Sequence, residues 1–144
     1  MKVSQDCIQL VKYFEGFEDT AYLCPANVWT IGYGRTRNVK EGDKVTEVQA
    51  ERDLLEELEE FKHQVLNSVK VELKQNELDA LTSWTYNLGV GNLKSSTLLK
   101  KLNAGNKDEV PAEMVRWNKA NGKVLAGLTK RREAEAELWA KEVI

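Results

Sequence analysis

A single histidine and two cysteines are all that 144 residues offer of the softer ligands and nucleophiles. That scarcity removes whole classes of chemistry. His63 alone excludes His-rich metal sites and most Ser-His or Cys-His triads. Cys7 and Cys24 do not make a disulfide framework, and a bridge between them would need a fortunate geometry. No Gly-rich phosphate loop is present. No stretch approaches the ~20 apolar residues of a membrane span. No apolar segment follows Met1-Lys2-Val3-Ser4-Gln5-Asp6, so neither an export signal nor a signal-anchor is expected. The formal net charge of -2 leaves no overall footprint for nucleic acid, although Lys130-Arg131-Arg132 forms a local basic run. Internal repeats and low-complexity segments are absent.

What is there reads as one ordinary globular domain with a core, 42% hydrophobic and 31% charged. Cys7, Leu10, Val11 and Phe14 recur on one face of a helix, with Ser4 as its N-cap and Gly16 as its stop. Residues 20–34 are rich in strand formers: Tyr22, Val28, Trp29, Thr30, Ile31 and Tyr33. Pro25-Ala26-Asn27 divides them into two short antiparallel arms. Gly32 and Gly34 suggest bends or a close backbone approach.

Thr46 and Gln49 then form a capping-box signature for a long helix reaching about Ser68. Its apolar face runs through Leu54, Leu55, Leu58, Phe61, Val65 and Leu66. Glu51, Glu56, Glu57, Glu59 and Glu60 read as a solvated opposite face. Further helices are expected over about 75–88, ending at Gly89, and over 96–104, stopped by Gly105. A Gly91-Asn92 turn should separate these two. Another helix is expected over about 109–119, with Pro111 in its first turn. A last one should begin at Thr129 and carry Ala134, Leu138, Trp139 and Val143. Trp84, Trp117 and Trp139 fall at helical core positions. The expected fold class is mainly α (α+β), with a small antiparallel β-sheet lobe and a helical lobe joined by the long helix.

The densest chemical grouping is Glu15, Cys24 and Thr30, spaced nine and then six residues apart. Between them the chain leaves a helix and enters a hairpin. That layout can place an acid, a second ionisable group and a hydroxyl around one cleft. Taken singly, each residue has a plainer reading: a surface glutamate, a small core thiol and a β-branched strand residue.

This segment resembles the active-site segment of phage-type lysozymes (glycoside hydrolase family 24): Glu, eight residues, Asp or Cys, five residues, Thr. Tyr22-Leu23-Cys24-Pro25 followed by Val28-Trp29-Thr30 looks like the branch with Cys at the usual Asp position. Thr30-Ile31-Gly32-Tyr33-Gly34, the stretch from Gln75 to Gly89, Ser96-Thr97-Leu98-Leu99 and the stretch from Gly127 to Glu133 resemble further family segments in the family's order. The resemblance covers nearly the whole chain. It implies a single lysozyme-like catalytic domain over 1–144, with a β-sheet subdomain at about 17–45 and a helical lobe at about 69–144.

It also implies an endolysin that hydrolyses the β-1,4 bond between N-acetylmuramic acid and N-acetylglucosamine in peptidoglycan. Neither cofactor nor metal is implied. The implied partners are glycan strands, with no nucleic acid and no stable membrane insertion. The chain is expected to be monomeric, to accumulate in the host cytoplasm, and to reach the wall after a separate holin permeabilises the membrane.

Cleaving a glycoside needs an acid for the leaving oxygen and a second group for water or for direct attack. The C-terminal end of the helix and the flanking Phe14 and Phe17 disfavour a negative charge on Glu15, which suits an acid. Cys24 can position water, act as a base beside a cation, or attack the sugar. The resemblance favours water-positioning and an inverting outcome. Thr30 can donate to or accept from that water. By resemblance, Thr36, Tyr86, Asn87 and Ser96 could line the sugar cleft. Tyr86 and Asn87 could equally be interior helix residues. Arg131 either pairs with Glu15 or stands in solvent. A lytic transglycosylase and a non-catalytic wall-binding module are the alternatives.

Overall fold

The computed structural model describes residues 1–141; Val143 lies outside them. The first helix, α1, spans Gln5–Glu15 and buries Cys7, Ile8 and Val11. Gly16, at φ 70°, stops it, its amide donating to Lys12 O at 3.0 Å. Ser4 stands at the N-cap position without capping. Its hydroxyl goes to the Asp79 carboxylate and its amide donates to Asp79 Oδ1 at 2.9 Å. Asp79 is 1% exposed, and an anion that deep needs donors more than the helix end does.

Strand β1 (Glu18–Leu23) pairs antiparallel with β2 (Trp29–Gly32), with Tyr22 opposite Thr30 and Leu23 opposite Trp29. The register slips between Glu18 and Tyr22. Residues 43–45 close the far side of β1, through Ala21 N–H to Asp43 O and Val45 N–H to Asp19 O, both 2.9 Å. The connecting turn is tight: Asn27, at φ 60°, donates to Cys24 O at 2.8 Å.

The long helix α2 runs Glu47–Ser68, and Thr46 Oγ1 accepts the Gln49 amide at 3.2 Å. Its buried stripe is Ala50, Leu54, Glu57, Leu58, Lys62 and Val65. Leu55 and Leu66, expected inside, are more than a third exposed. Glu57, expected in solvent, is buried beside Arg35, their charged atoms 3.3 Å apart. A buried carboxylate is tolerable there because its counter-ion arrives from the loop after β2. Ala50, Leu54 and Leu58 join the N-terminal core with Cys7, Ile8, Val11 and Tyr33, whereas Val65 joins the C-terminal core. One helix therefore carries both lobes.

Helix α3 (Gln75–Leu88) buries every residue from Asn76 to Thr85, so it is the axis of the helical lobe. A short helix, α4 (Val90–Ser95), replaces the expected Gly91-Asn92 turn. Helix α5 spans Thr97–Asn103. The helix expected over 109–119 is a 3-10 turn at Lys107–Glu109 followed by α6, Val110–Met114. The chain then forms a hairpin of β3 (Lys119–Ala120) and β4 (Lys123–Val124). Asn121 and Gly122 both take positive φ there, as a two-residue hairpin turn requires. The last helix, α7, spans Ala126–Ala140 and starts three residues earlier than Thr129. Among the described residues no helix is long and apolar enough to cross a membrane.

Asn76 ties α3 to the end of α7. Its amide donates to Leu138 O at 3.0 Å, Trp139 O at 2.9 Å and Lys141 O at 3.0 Å. They lie at the end of α7, where carbonyls lack the full set of intrahelical partners; Leu138 O also accepts the Lys141 amide at 3.3 Å. Asn76→Ala should lower the unfolding free energy by about 2 kcal/mol in urea denaturation, with the fold retained; an unchanged midpoint would show that the three contacts carry no net stability.

Candidate active site

Glu15 is the last residue of α1, and its side chain is 20% exposed. Its Oε2 accepts a hydrogen bond from Arg131 Nη1 at 2.6 Å. Arg131 stands on α7, 116 positions later, and is almost fully buried. Its guanidinium carbon lies 5.9 Å from the centre of the Phe14 ring. On its other side Nε donates to Glu135 Oε2 at 3.3 Å, and Nη2 donates to Ser83 O at 3.4 Å.

Glu135 is fully buried and holds two cations at once. Ser83 Oγ donates to its Oε2 at 2.6 Å, and Arg132 Nε stands 2.7 Å from its Oε1. Burial pushes the Glu135 carboxyl above the usual carboxylate range, against the pull of Arg132, Arg131 and the Ser83 hydroxyl. Burial also draws the Arg132 guanidinium down to about 10, still protonated at neutral pH. Arg132 Nη2 then donates to Asn87 Oδ1 at 2.9 Å. The chain Glu15–Arg131–Glu135–Arg132 thus balances two carboxylates against two guanidiniums, with Ser83 and Asn87 as further partners and Arg132 Nη1 buried without one.

Cys24 and Thr30 flank the β1–β2 turn. The Cys24 thiol is pulled below its ordinary value by backbone hydrogen bonds from Val28 and Ala26, helped by the Thr30 hydroxyl. Thr30 is 5% exposed, and its hydroxyl donates to Val28 O at 3.0 Å. One hydroxyl proton can serve the carbonyl or the sulfur, so turning it towards Cys24 costs the backbone contact. Cys7 is the opposite case. It is enclosed in the core, and burial raises its thiol far above the working range, with Asp79 and Glu135 adding to the effect. Both cysteines are free thiols.

The turn after β2 presses on Glu15. Gly34 adopts φ 82°, and a Cβ there would stand 2.5 Å from Glu15 Oε1. Only glycine lets the backbone pass so close. The turn is held by the Ile31–Arg35 pair, both amides donating at 2.9 Å. It is held also by Tyr86, whose hydroxyl donates to Tyr33 O at 2.9 Å. Arg35 Nη1 reaches Asp53 at 3.6 Å and Glu57 at 3.3 Å on α2.

The remaining expected positions divide. Arg131 pairs with Glu15, and Asn87 lines an open pocket with Phe14, Glu15, Leu125, Leu128 and Arg131. Tyr86 donates to Tyr33 O and its ring stands 5.3 Å from that of Phe61 at a steep angle, so it supports the turn. Ser96 is likewise corrected. It is 3% exposed, donates to Leu93 O at 2.7 Å and accepts the Leu99 amide at 3.1 Å, which makes it the N-cap of α5. Thr36 is exposed on the loop beyond the turn. Sequence reasoning missed Glu57, Glu135 and Leu125. Arg131-Arg132 followed by Glu135 has helical spacing for ion pairs, the one signal that pointed to part of this network. Among the described residues no group of three or more His, Cys, Asp or Glu side chains is gathered to hold a metal.

Residues 12–135 match the Phage lysozyme family. The chain is 43% identical over 143 residues to an endolysin of Acyrthosiphon pisum secondary endosymbiont phage 1, covering 96% of this chain and 98% of that one. It is 44% identical over 142 residues to an endolysin of Bacillus phage B103, covering 96% of this chain and 54% of that longer relative. Among solved structures it resembles the muramidase domain of SpmX from Asticaccaulis excentricus, with a TM-score of 0.90, 35% identity and coverage of 98% and 99%.

Two outcomes follow from the geometry. Gly34→Ala should cut any activity by at least about tenfold, because the new Cβ meets the Glu15 carboxylate, and should cost about 1–2 kcal/mol of stability. Turnover assays beside thermal melts check both. Iodoacetamide at neutral pH should alkylate Cys24 and spare Cys7 in the folded protein, because only the thiol favoured as thiolate is also reachable. Mass spectrometry should therefore find one adduct per chain, with the reaction rate rising at a pH below that of an ordinary thiol.

Proposed function

The chain belongs to the phage lysozyme family and is a glycoside hydrolase of the lysozyme type, an endolysin, and on that premise we propose how its residues divide the reaction. Glu15 protonates the oxygen leaving the sugar. Cys24 and Thr30 hold the water that attacks the opposite side of the ring. The bond cut is the β-1,4 link between N-acetylmuramic acid and N-acetylglucosamine in peptidoglycan, with inversion at the anomeric carbon.

The observation that carries this reading is the pairing of Glu15 with Arg131 at the mouth of the pocket, 2.6 Å apart, while Gly34 closes on the same carboxylate. The acid is held in one orientation from two sides, which is what positional catalysis needs. The guanidinium supplies a second service. When Glu15 gives up its proton, the new negative charge meets a cation already in place, with no solvent reorganisation. Across the hairpin, amide hydrogen bonds that favour the Cys24 thiolate give the water a proton acceptor where other family members carry a carboxylate.

We propose further that the chain works as a monomer on glycan strands. A separate holin lets it reach the wall after it accumulates in the host cytoplasm.

The test is a digest of purified peptidoglycan with the new ends identified by mass spectrometry. Wild type should release reducing muramic-acid ends, and Glu15→Gln should lose about a thousandfold of that rate while melting near the wild-type temperature. Anhydro ends would move the protein to the lytic transglycosylases, and binding without release would make it a wall-binding module. Cys24→Asp should keep substantial activity and Cys24→Ala should lose most of it; equal loss in both would reject the water-handling role. Thr30→Ala with an unaffected rate would remove Thr30 from the site.

A further inference from the structure

One exposed side chain of the hairpin has no part in the proposed division of the reaction. Tyr22 lies on β1 directly opposite Thr30 on β2. Directly opposed residues of an antiparallel pair project from the same face with their Cβ atoms about 4.5–5.5 Å apart. Cys24 is the first residue after β1 and two on from Tyr22; its amide donates to Val28 O at 3.0 Å, which continues the pairing, and alternate residues of such an extended segment share a face. Tyr22, Cys24 and Thr30 are therefore arranged on one side of the hairpin, with Tyr22 the largest and, at 39%, well exposed. Thr30, by contrast, is buried.

The phenol also has charged groups around it. Partial burial raises its proton affinity first, and the negative charges of Glu15, Glu18 and Cys24 add to that. Two of those three groups are the proposed acid and the proposed water-holder. The ring senses both charges, and the strand register places it on the face of the hairpin that carries Thr30. The phenol stays neutral there, so its O–H remains a donor and the ring remains an apolar face.

We propose that Tyr22 is a further substrate-contacting residue of the reaction, its hydroxyl donating a hydrogen bond to an oxygen of the sugar bound between Glu15 and Cys24. The inference rests on the assignment of Glu15, Cys24 and Thr30 to the reaction. The contact adds a neutral donor to a site whose other polar groups are an acid, a thiol and a buried hydroxyl. The exposed side chain of Val28, two residues before Thr30 on the same face, adds apolar surface beside it.

The test compares wild type, Tyr22→Phe, Tyr22→Ala and Glu15→Gln on purified peptidoglycan, with the alkylation rate of Cys24 by iodoacetamide measured in each. Tyr22→Phe removes one oxygen and keeps the ring. It should lower kcat by roughly 10- to 100-fold with KM little changed, and leave both the melting temperature and the Cys24 alkylation rate as in wild type. Tyr22→Ala should add a rise in KM, because the ring is lost as well. A Tyr22→Phe enzyme with kcat within about twofold of wild type, beside an inactive Glu15→Gln, would overturn this inference and leave the parent reading standing. A fall in kcat accompanied by an altered Cys24 alkylation rate would overturn it too, since the hydroxyl would then be acting through the thiol. An active Glu15→Gln would bring down both.

Discussion

The Glu15–Arg131–Glu135–Arg132 network is the interaction on which the rest depends. It joins the last residue of α1 to α7 across 116 positions of sequence and runs between them beside α3. Three of its four members are nearly or wholly buried. Ions taken that far from water cost several kcal/mol each unless they are paired and hydrogen-bonded, and removing one partner strands the others. The balance of two carboxylates and two guanidiniums, with Ser83 and Asn87 as added partners, offsets most of that cost. It also leaves few alternatives for the Glu15 carboxylate, whose orientation is set by the packing of the helical lobe.

The second constraint comes from the opposite side. The turn Gly32–Arg35 is held from α3 through Tyr86 and from α2 through Glu57 and Asp53. Both anchors act on the backbone that brings Gly34 against Glu15. Thus α1 supplies the acid, α7 its counter-ion, and the sheet lobe the wall pressed against it. Helix α2 belongs to both cores, which keeps these parts in register. Loop residues can serve catalysis only when a rigid scaffold positions them, and here the scaffold is the pair of cores joined by one long helix.

Much of this was legible in the sequence, for reasons that vary with the element. Helices α1, α2 and α3 were legible because apolar spacing agrees locally with the stops at Gly16 and Gly89 and the cap at Thr46. The stretch after Met114 was not. The helix expected over about 109–119 stops at Met114, and Asn121-Gly122, a pair that suits a two-residue hairpin turn, takes positive φ beyond it. Glu57 was misread because a glutamate among glutamates looks solvated, and its counter-ion Arg35 is distant in sequence. Tyr86 and Ser96 carried chemistry suited to a sugar cleft, yet burial and local hydrogen bonds gave them structural work.

The sequence by itself determined the local elements, the family resemblance and the trio Glu15, Cys24 and Thr30, since each depends on residue type and short spacing. Only the tertiary structure decided which cation meets Glu15, which glutamates are buried, and which cleft candidates face solvent. Those outcomes depend on pairs separated by tens of residues or more, whose energies arise from burial and low local dielectric. Neither quantity exists until the lobes have packed.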